Sequence, residues 1–143
     1  MDTFAKIMSC WEEVLNQDGE LEERNKSIYS SLEGRTAIQL KVAGQPTYVV
    51  DVKGGKFKVH QDSATNPLLH WKLPASLFKD VIVGKHRLIY SLLDPRGTLS
   101  FDTLHFTHWN GATIIEMLFL ACEMGHKNSE VSKLVEGLEE RGE

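Results

Sequence analysis

The sequence predicts an α+β fold, a five-stranded, mostly antiparallel sheet with helices packed on one face. Three observations carry it. Period-two alternation runs through several consecutive segments between Ile38 and Phe101, with helical spacing before and after it. Gly-rich turns such as Gly54-Gly55 punctuate that block. The alternation leaves one apolar and one polar face, so helices are expected over one side only.

The elements follow in order. Phe4, Ile7, Met8, Trp11, Val14 and Leu15 recur at helical spacing, and Asp2 or Thr3 can serve as N-cap. Asn16-Gln17-Asp18-Gly19 reads as a break in which Asp18 caps a second helix. That helix carries Leu21, Ile28 and Leu32 and is expected to stop at Gly34. Ile38, Leu40 and Val42 then alternate with Gln39 and Lys41, and Gly44-Gln45-Pro46 turns the chain. Tyr48, Val50 and Val52 form the next strand, and Phe57 and Val59 the third, which completes a meander.

After a polar loop from Gln61 to Pro67, Leu69, Trp71 and Leu73 alternate with Leu68, His70 and Lys72 as a fourth strand. Pro74 suits the first turn of a helix over Ala75 to Val83 that stops at Gly84. A second helical segment, Lys85 to Leu93, leads into the turn Asp94-Pro95-Arg96-Gly97. Leu99 and Phe101 make a fifth strand, with Leu104 and Phe106 as a continuation. Asn110 is placed to cap an apolar helix from Gly111 to Met124 that Gly125 would end. A final amphipathic helix with Val131, Leu134, Val135 and Leu138 begins near Asn128 or Ser129. The whole reads as one domain over residues 1–143, with a core at about 20–125 and a C-terminal amphipathic helix at 128–140.

A chain of 143 residues with 41% hydrophobic and 25% charged residues can bury a core without staples. Its net charge of -4 carries no nucleic-acid footprint, so no nucleic-acid partner is expected. The acidic surplus, Glu12 to Glu23 and Glu136 to Glu143, reads as solvated helix faces. Cys10 and Cys122 each sit inside an apolar helical pattern and read as small buried hydrophobes, in keeping with a reducing compartment. No signal peptide is read at the N-terminus, and Ile114 to Cys122 is too short to span a bilayer. The expected location is therefore cytoplasmic.

Three segments between Leu73 and Glu123 are unusually apolar: Leu77 to Val83, Leu88 to Leu93, and Ile114 to Leu120. The third is nearly apolar all round, and such a helix is expected to be buried. By spacing alone these residues read as close-packed core.

Taken with the hairpin Tyr48 to Phe57, the strand Leu69-His70-Trp71-Lys72-Leu73, the segment Leu77-Phe78-Lys79-Asp80-Val81 with Gly84, and the return strand Gly97 to Phe101, the chain resembles the sterol carrier protein 2 domain family. The resemblance covers roughly Ile28 to Glu123. It implies helices that enclose an apolar tunnel for a fatty acid, fatty acyl-CoA, sterol or phospholipid, bound without catalysis. The implied tunnel lining is Trp71, Leu77, Phe78, Val81, Ile82, Leu88, Ile89, Leu92, Phe101, Ile114, Ile115, Leu118, Phe119 and Cys122. Eukaryotic members end in a peroxisomal tripeptide, whereas this chain ends Glu140-Arg141-Gly142-Glu143, and its acidic ending has no counterpart.

Other chemistry is weaker. His105 and His108 are the closest histidine pair, yet three-residue spacing on a strand points them to opposite faces and no third ligand follows. Ser76 and Ser91 lack an elbow motif, and Cys122 reads as an inert thiol. Neither a metal nor a cofactor is expected. Glu116 reads as solvent-facing, with a cavity mouth as the sharper alternative. His70 should face outward, and Lys72, Lys79, Lys85, His86 and Arg87 could draw an anionic group to a tunnel entrance. Partner readings left open are transient membrane contact through the Trp11 helix, which Glu12 and Glu13 disfavour at an anionic surface, and a homodimer. The alternative function is an accessory domain that stabilises a partner or self-associates in lipid or aromatic-acid metabolism.

Overall fold

The computed structural model describes residues 2–27, 32–83, 94–101, 108–127 and 129–138. Two helices, α1 (Thr3–Gln17) and α2 (Gly19–Ser27), precede β1 (Thr36–Val42), β2 (Tyr48–Lys53), β3 (Lys56–Gln61) and β4 (Leu69–Leu73). Helix α3 (Ala75–Ile82), strand β5 (Thr98–Phe101) and helices α4 (His108–Lys127) and α5 (Ser129–Glu136) complete the described elements. The proposed helical segment Lys85 to Leu93, Ile28 in the second helix, and the strand continuation at Leu104 and Phe106 lie outside the described residues.

Local chemistry sets the helix starts. The Asp2 carboxylate accepts from Ala5 N–H at 2.7 Å, and Asp18 does the same for Leu21 N–H at 2.7 Å. Pro74 is the N-cap of α3 rather than its first helical residue, and offers no side-chain cap. Two readings from the sequence are corrected. Helix α4 already starts at His108, so Asn110 lies within its first turn, and the helix runs past Gly125 to Lys127. A helical glycine costs only about 1 kcal/mol, a cost that the packing of α4 against α1, α2, α3 and α5 readily offsets.

The strand order is β3-β2-β1-β4-β5. The meander pairs antiparallel, β4 joins β1 in parallel, and β5 returns antiparallel on β4. The β2–β3 turn places Gly54 and Gly55 at φ 62° and 74°, a left-handed pair that glycine adopts without Cβ strain. Both N–H groups donate to the Glu33 carboxylate, which holds that carboxyl below its usual range. Register aligns Ile38, Leu40, Val50, Leu69 and Trp71 on one face, and Gln39, Asp51, Lys58, His60, His70 and Lys72 on the other. Leu68, expected in the polar row, lies just before β4 and is fully buried.

The β3 edge is covered by α1. Val59 N–H donates to Glu12 Oε1 at 2.8 Å, Phe57 N–H donates to Asn16 Oδ1 at 2.9 Å, and Asn16 Nδ2 returns a bond to Phe57 O at 2.7 Å. These bonds use backbone groups that an open edge would offer to another chain. Glu12 is thus not part of a solvated face, and the break expected over Asn16-Gln17-Asp18-Gly19 narrows to Asp18, between α1 and α2.

Candidate functional site

The apolar interior lies between the inner sheet face and helices α1, α3, α4 and α5. Registry sets Trp71 beside Leu40 on β1 and Leu99 on β5. Across from the sheet, α3 presents Leu77, Phe78, Val81 and Ile82, all at most 1% exposed. Helix α4 adds Ile114, Met117, Leu118 and Ala121 to the same cluster. The Phe4 ring on α1 meets Tyr48 edge-on at 5.4 Å and Phe78 at 5.5 Å, so one aromatic row ties α1 to β2 and α3.

Of the sequence-derived lining, Trp71, Leu77, Phe78, Val81, Ile82, Ile114, Leu118 and Cys122 come together in one buried cluster. Phe101 pairs with Leu69 at the end of β5. Leu88, Ile89 and Leu92 lie outside the described residues. Ile115 and Phe119 are corrections to the expectation of a fully buried helix, being 44% and 48% exposed. Around α4, residues 114, 117, 118 and 121 occupy one arc, whereas 115 and 119 fall on the arc of exposed Glu123. Glu116 is half-buried. Phe4, Tyr48 and Met117 belong to the interior but escaped the sequence-derived lining. Helical and two-residue spacing marked Phe4 and Tyr48 as apolar positions, and only the pairing of distant elements brings them to the site.

Among the described residues, Trp11 Nε1 on α1 and Thr113 Oγ1 on α4 are buried polar atoms without a hydrogen-bond partner. Buried polar groups are rarely left unpaired. Trp11 is only 1% exposed, which removes the proposed membrane contact through this side chain. Both cysteines are buried, and neither forms a disulfide. Burial pushes Cys122 up to about 12, with Glu123 adding to the rise, and Cys10 is raised by burial and by Glu13 and Glu130. Neutral thiols of this kind are poor nucleophiles.

The outer sheet face is polar. The Asp51 carboxylate accepts from Thr36 Oγ1 at 2.5 Å and meets His60 Nε2 at 2.6 Å. His70 faces outward as expected, with its Nε2 at 3.4 Å from Gln39 Nε2. The cationic cluster expected around the apolar segments divides. Lys72 lines a cleft at the β1 and β4 ends, while Lys79 lines another between α3 and α5, and Lys85, His86 and Arg87 lie outside the described residues. His105 does too, and among the described residues no group of three His, Cys, Asp or Glu could hold a metal ion. No helix among them is long and apolar enough to cross a membrane.

This arrangement of sheet and helices matches solved structures. The solution structure of the sterol carrier protein domain 2 of Helicoverpa armigera matches with a TM-score of 0.60 and 19% identity, over 85% of this chain and 89% of that one. The fold is that of a sterol carrier protein 2 domain. A crystal structure of sterol carrier protein 2 matches at TM-score 0.54 and 14% identity, over 82% and 95% of the two chains. A UbiJ-SCP2 ubiquinone synthesis protein does so at 0.53 and 15%, over 82% and 88%. No family model and no curated protein matches the sequence. The sterol carrier protein 2 fold is therefore kept here by burial pattern and topology, with little identity of residues.

Proposed function

We propose that the domain binds an apolar ligand with a long acyl or ring skeleton, such as a fatty acid, fatty acyl-CoA, sterol or phospholipid, and carries it without catalysis. The observation that carries this reading is Ile115 and Phe119, two large apolar side chains one helical turn apart and 44% and 48% exposed on the helix that closes the interior. Such a pair is stable in water at a cost that a bound alkyl chain would remove. Trp11 Nε1 and Thr113 Oγ1, which have no partner among the described residues, add support, since a ligand with one polar group could satisfy a buried donor. The high pKa of Cys122 supports binding rather than thiol chemistry.

The energetics suit a carrier. Roughly ten buried methylenes contribute about 8 kcal/mol gross. Association costs of several kcal/mol leave an affinity near the micromolar range. Native mass spectrometry of the purified protein should show a copurifying lipid, and a delipidated sample should take up a fluorescent fatty acid. Protein that arrives empty and takes up neither fatty acid nor sterol probe sinks the reading.

The same exposed pair favours a second reading, in which Ile115 and Phe119 meet a partner protein or a second copy of the chain. Light scattering separates the two. A dimer that Phe119→Ser dissolves, in protein that takes up no lipid, would replace the carrier by an accessory role.

A further inference from the structure

We propose that the cleft at the carboxyl ends of β1 and β4 is an anion site, which takes a phosphate or carboxylate group carried on an apolar stem. The cleft has a volume of about 480 Å³, and Lys41, Lys72, Arg96 and Thr98 line it together with the apolar Leu73 and Pro74. Lys41, Lys72 and Thr98 lie on the outer sheet face, away from the apolar interior, so the site does not depend on what the interior holds.

Topology builds the charge. The parallel register sets Lys41 directly beside Lys72, and the antiparallel register sets Lys72 beside Thr98. Like charges held side by side on neighbouring strands are unfavourable, and an oxyanion between them reverses the sign of that interaction. Lys41 Nζ donates to Gln45 O. Lys72 is exposed and has no ion-pair partner among the described residues.

Arg96 is held at the rim by a two-point contact. Its Nε donates to Asp94 Oδ1 at 3.1 Å and its Nη2 to Asp94 Oδ2 at 2.9 Å, with Asp80 Oδ2 3.9 Å from Nη2. The Asp94–Gly97 turn can press onto β4 because residue 97 is glycine. A Cβ there would stand 3.3 Å from Lys72 O and 3.4 Å from Leu73 Cβ. Among the described residues, two carboxylates against three cations leave the cleft positive, with the uncompensated charge at the two lysines. Pro74, partly exposed at the edge of the cleft, gives an alkyl stem an apolar surface that a bare oxyanion does not use.

The test is an amide-shift NMR titration of the full chain with inorganic phosphate, octyl phosphate and octanoate. Saturable shifts are expected at Ala43, Gly44 and Thr98, with octyl phosphate bound at least about tenfold more tightly than inorganic phosphate. Lys41→Gln and Lys72→Gln should each weaken octyl phosphate binding by about tenfold or more. Lys72→Arg should keep it, and Lys79→Gln, in the other cleft, should leave it unchanged. Inorganic phosphate binding as tightly as octyl phosphate would keep the anion site and overturn the stem. Shifts that do not saturate with any probe, or an equal loss from Lys79→Gln, would overturn the site.

Discussion

Helices α3 and α4 pack against each other yet treat their apolar residues differently. Helix α3 has eight residues and puts Leu77, Phe78, Val81 and Ile82 inside, with Ser76, Lys79 and Asp80 toward water. Helix α4 has twenty residues and more apolar positions than its core-facing arc can hold. Ile114, Met117, Leu118 and Ala121 fill that arc, and Ile115 and Phe119 are left on the outside. A short helix with one apolar stripe is fully explained by core packing. A long helix with apolar residues on both sides leaves Ile115 and Phe119 with no role in core packing.

Substitutions can break or sharpen this contrast. The largest effect is expected in α3, where Phe78→Ala removes a ring that is 1% exposed and touches Phe4. It should cost about 3–5 kcal/mol in denaturant unfolding. A loss under about 1 kcal/mol would mean that the α3 side is not packed as core.

On the inner side of α4, the raised pKa of Cys122 gives an alkaline dependence. The folded state keeps the thiol protonated from its ordinary value of 9.0 up to about 12, while the unfolded chain loses that proton first. Stability linked to this group is therefore complete below pH 9.0 and lost as pH rises towards about 12. Unfolding curves for wild type and Cys122→Ala should converge across that window, and Cys122 should resist a thiol reagent at pH 8 in the folded protein. Rapid labelling without unfolding would show the inner side of α4 to be open.

The smallest stability change is expected outside, where Ile115→Ser with Phe119→Ser should shift unfolding by only about 0.5 kcal/mol per site. Fatty-acid uptake or self-association should nevertheless fall. If the double variant unfolds readily, the two faces of α4 are alike and the contrast fails.

Much of this was legible in the chain. The caps at Asp2 and Asp18, the Gly54-Gly55 hairpin and the alternation from Ile38 to Val59 are local signals, and each element stands where its signal put it. Eight of the residues that the resemblance implied as a tunnel lining are buried in one cluster, as apolar spacing by itself expects of core. The misreadings have equally physical causes. Asn110 and Gly125 looked like helix ends because capping preferences are worth about 1 kcal/mol, which tertiary packing of α4 exceeds. The break expected from Asn16 to Gly19 narrows to Asp18 because bonds to Phe57, 41 residues away, fix Asn16 within α1.

By itself the sequence determined the period of each segment, the face on which its apolar side chains fall and the turns that separate strands, since these follow from dihedral preferences and side-chain spacing within a few residues. Only the tertiary structure decided the parallel placement of β4 on β1, the pairing of Lys41 with Lys72, the sealing of β3 by Glu12 and Asn16, and the exposure of Ile115 and Phe119. Alternation reads the same whether a strand pairs parallel or antiparallel, and a helix apolar on both sides does not say which side the core will take. Those choices are made by contacts between residues far apart in the chain, where local spacing carries no information.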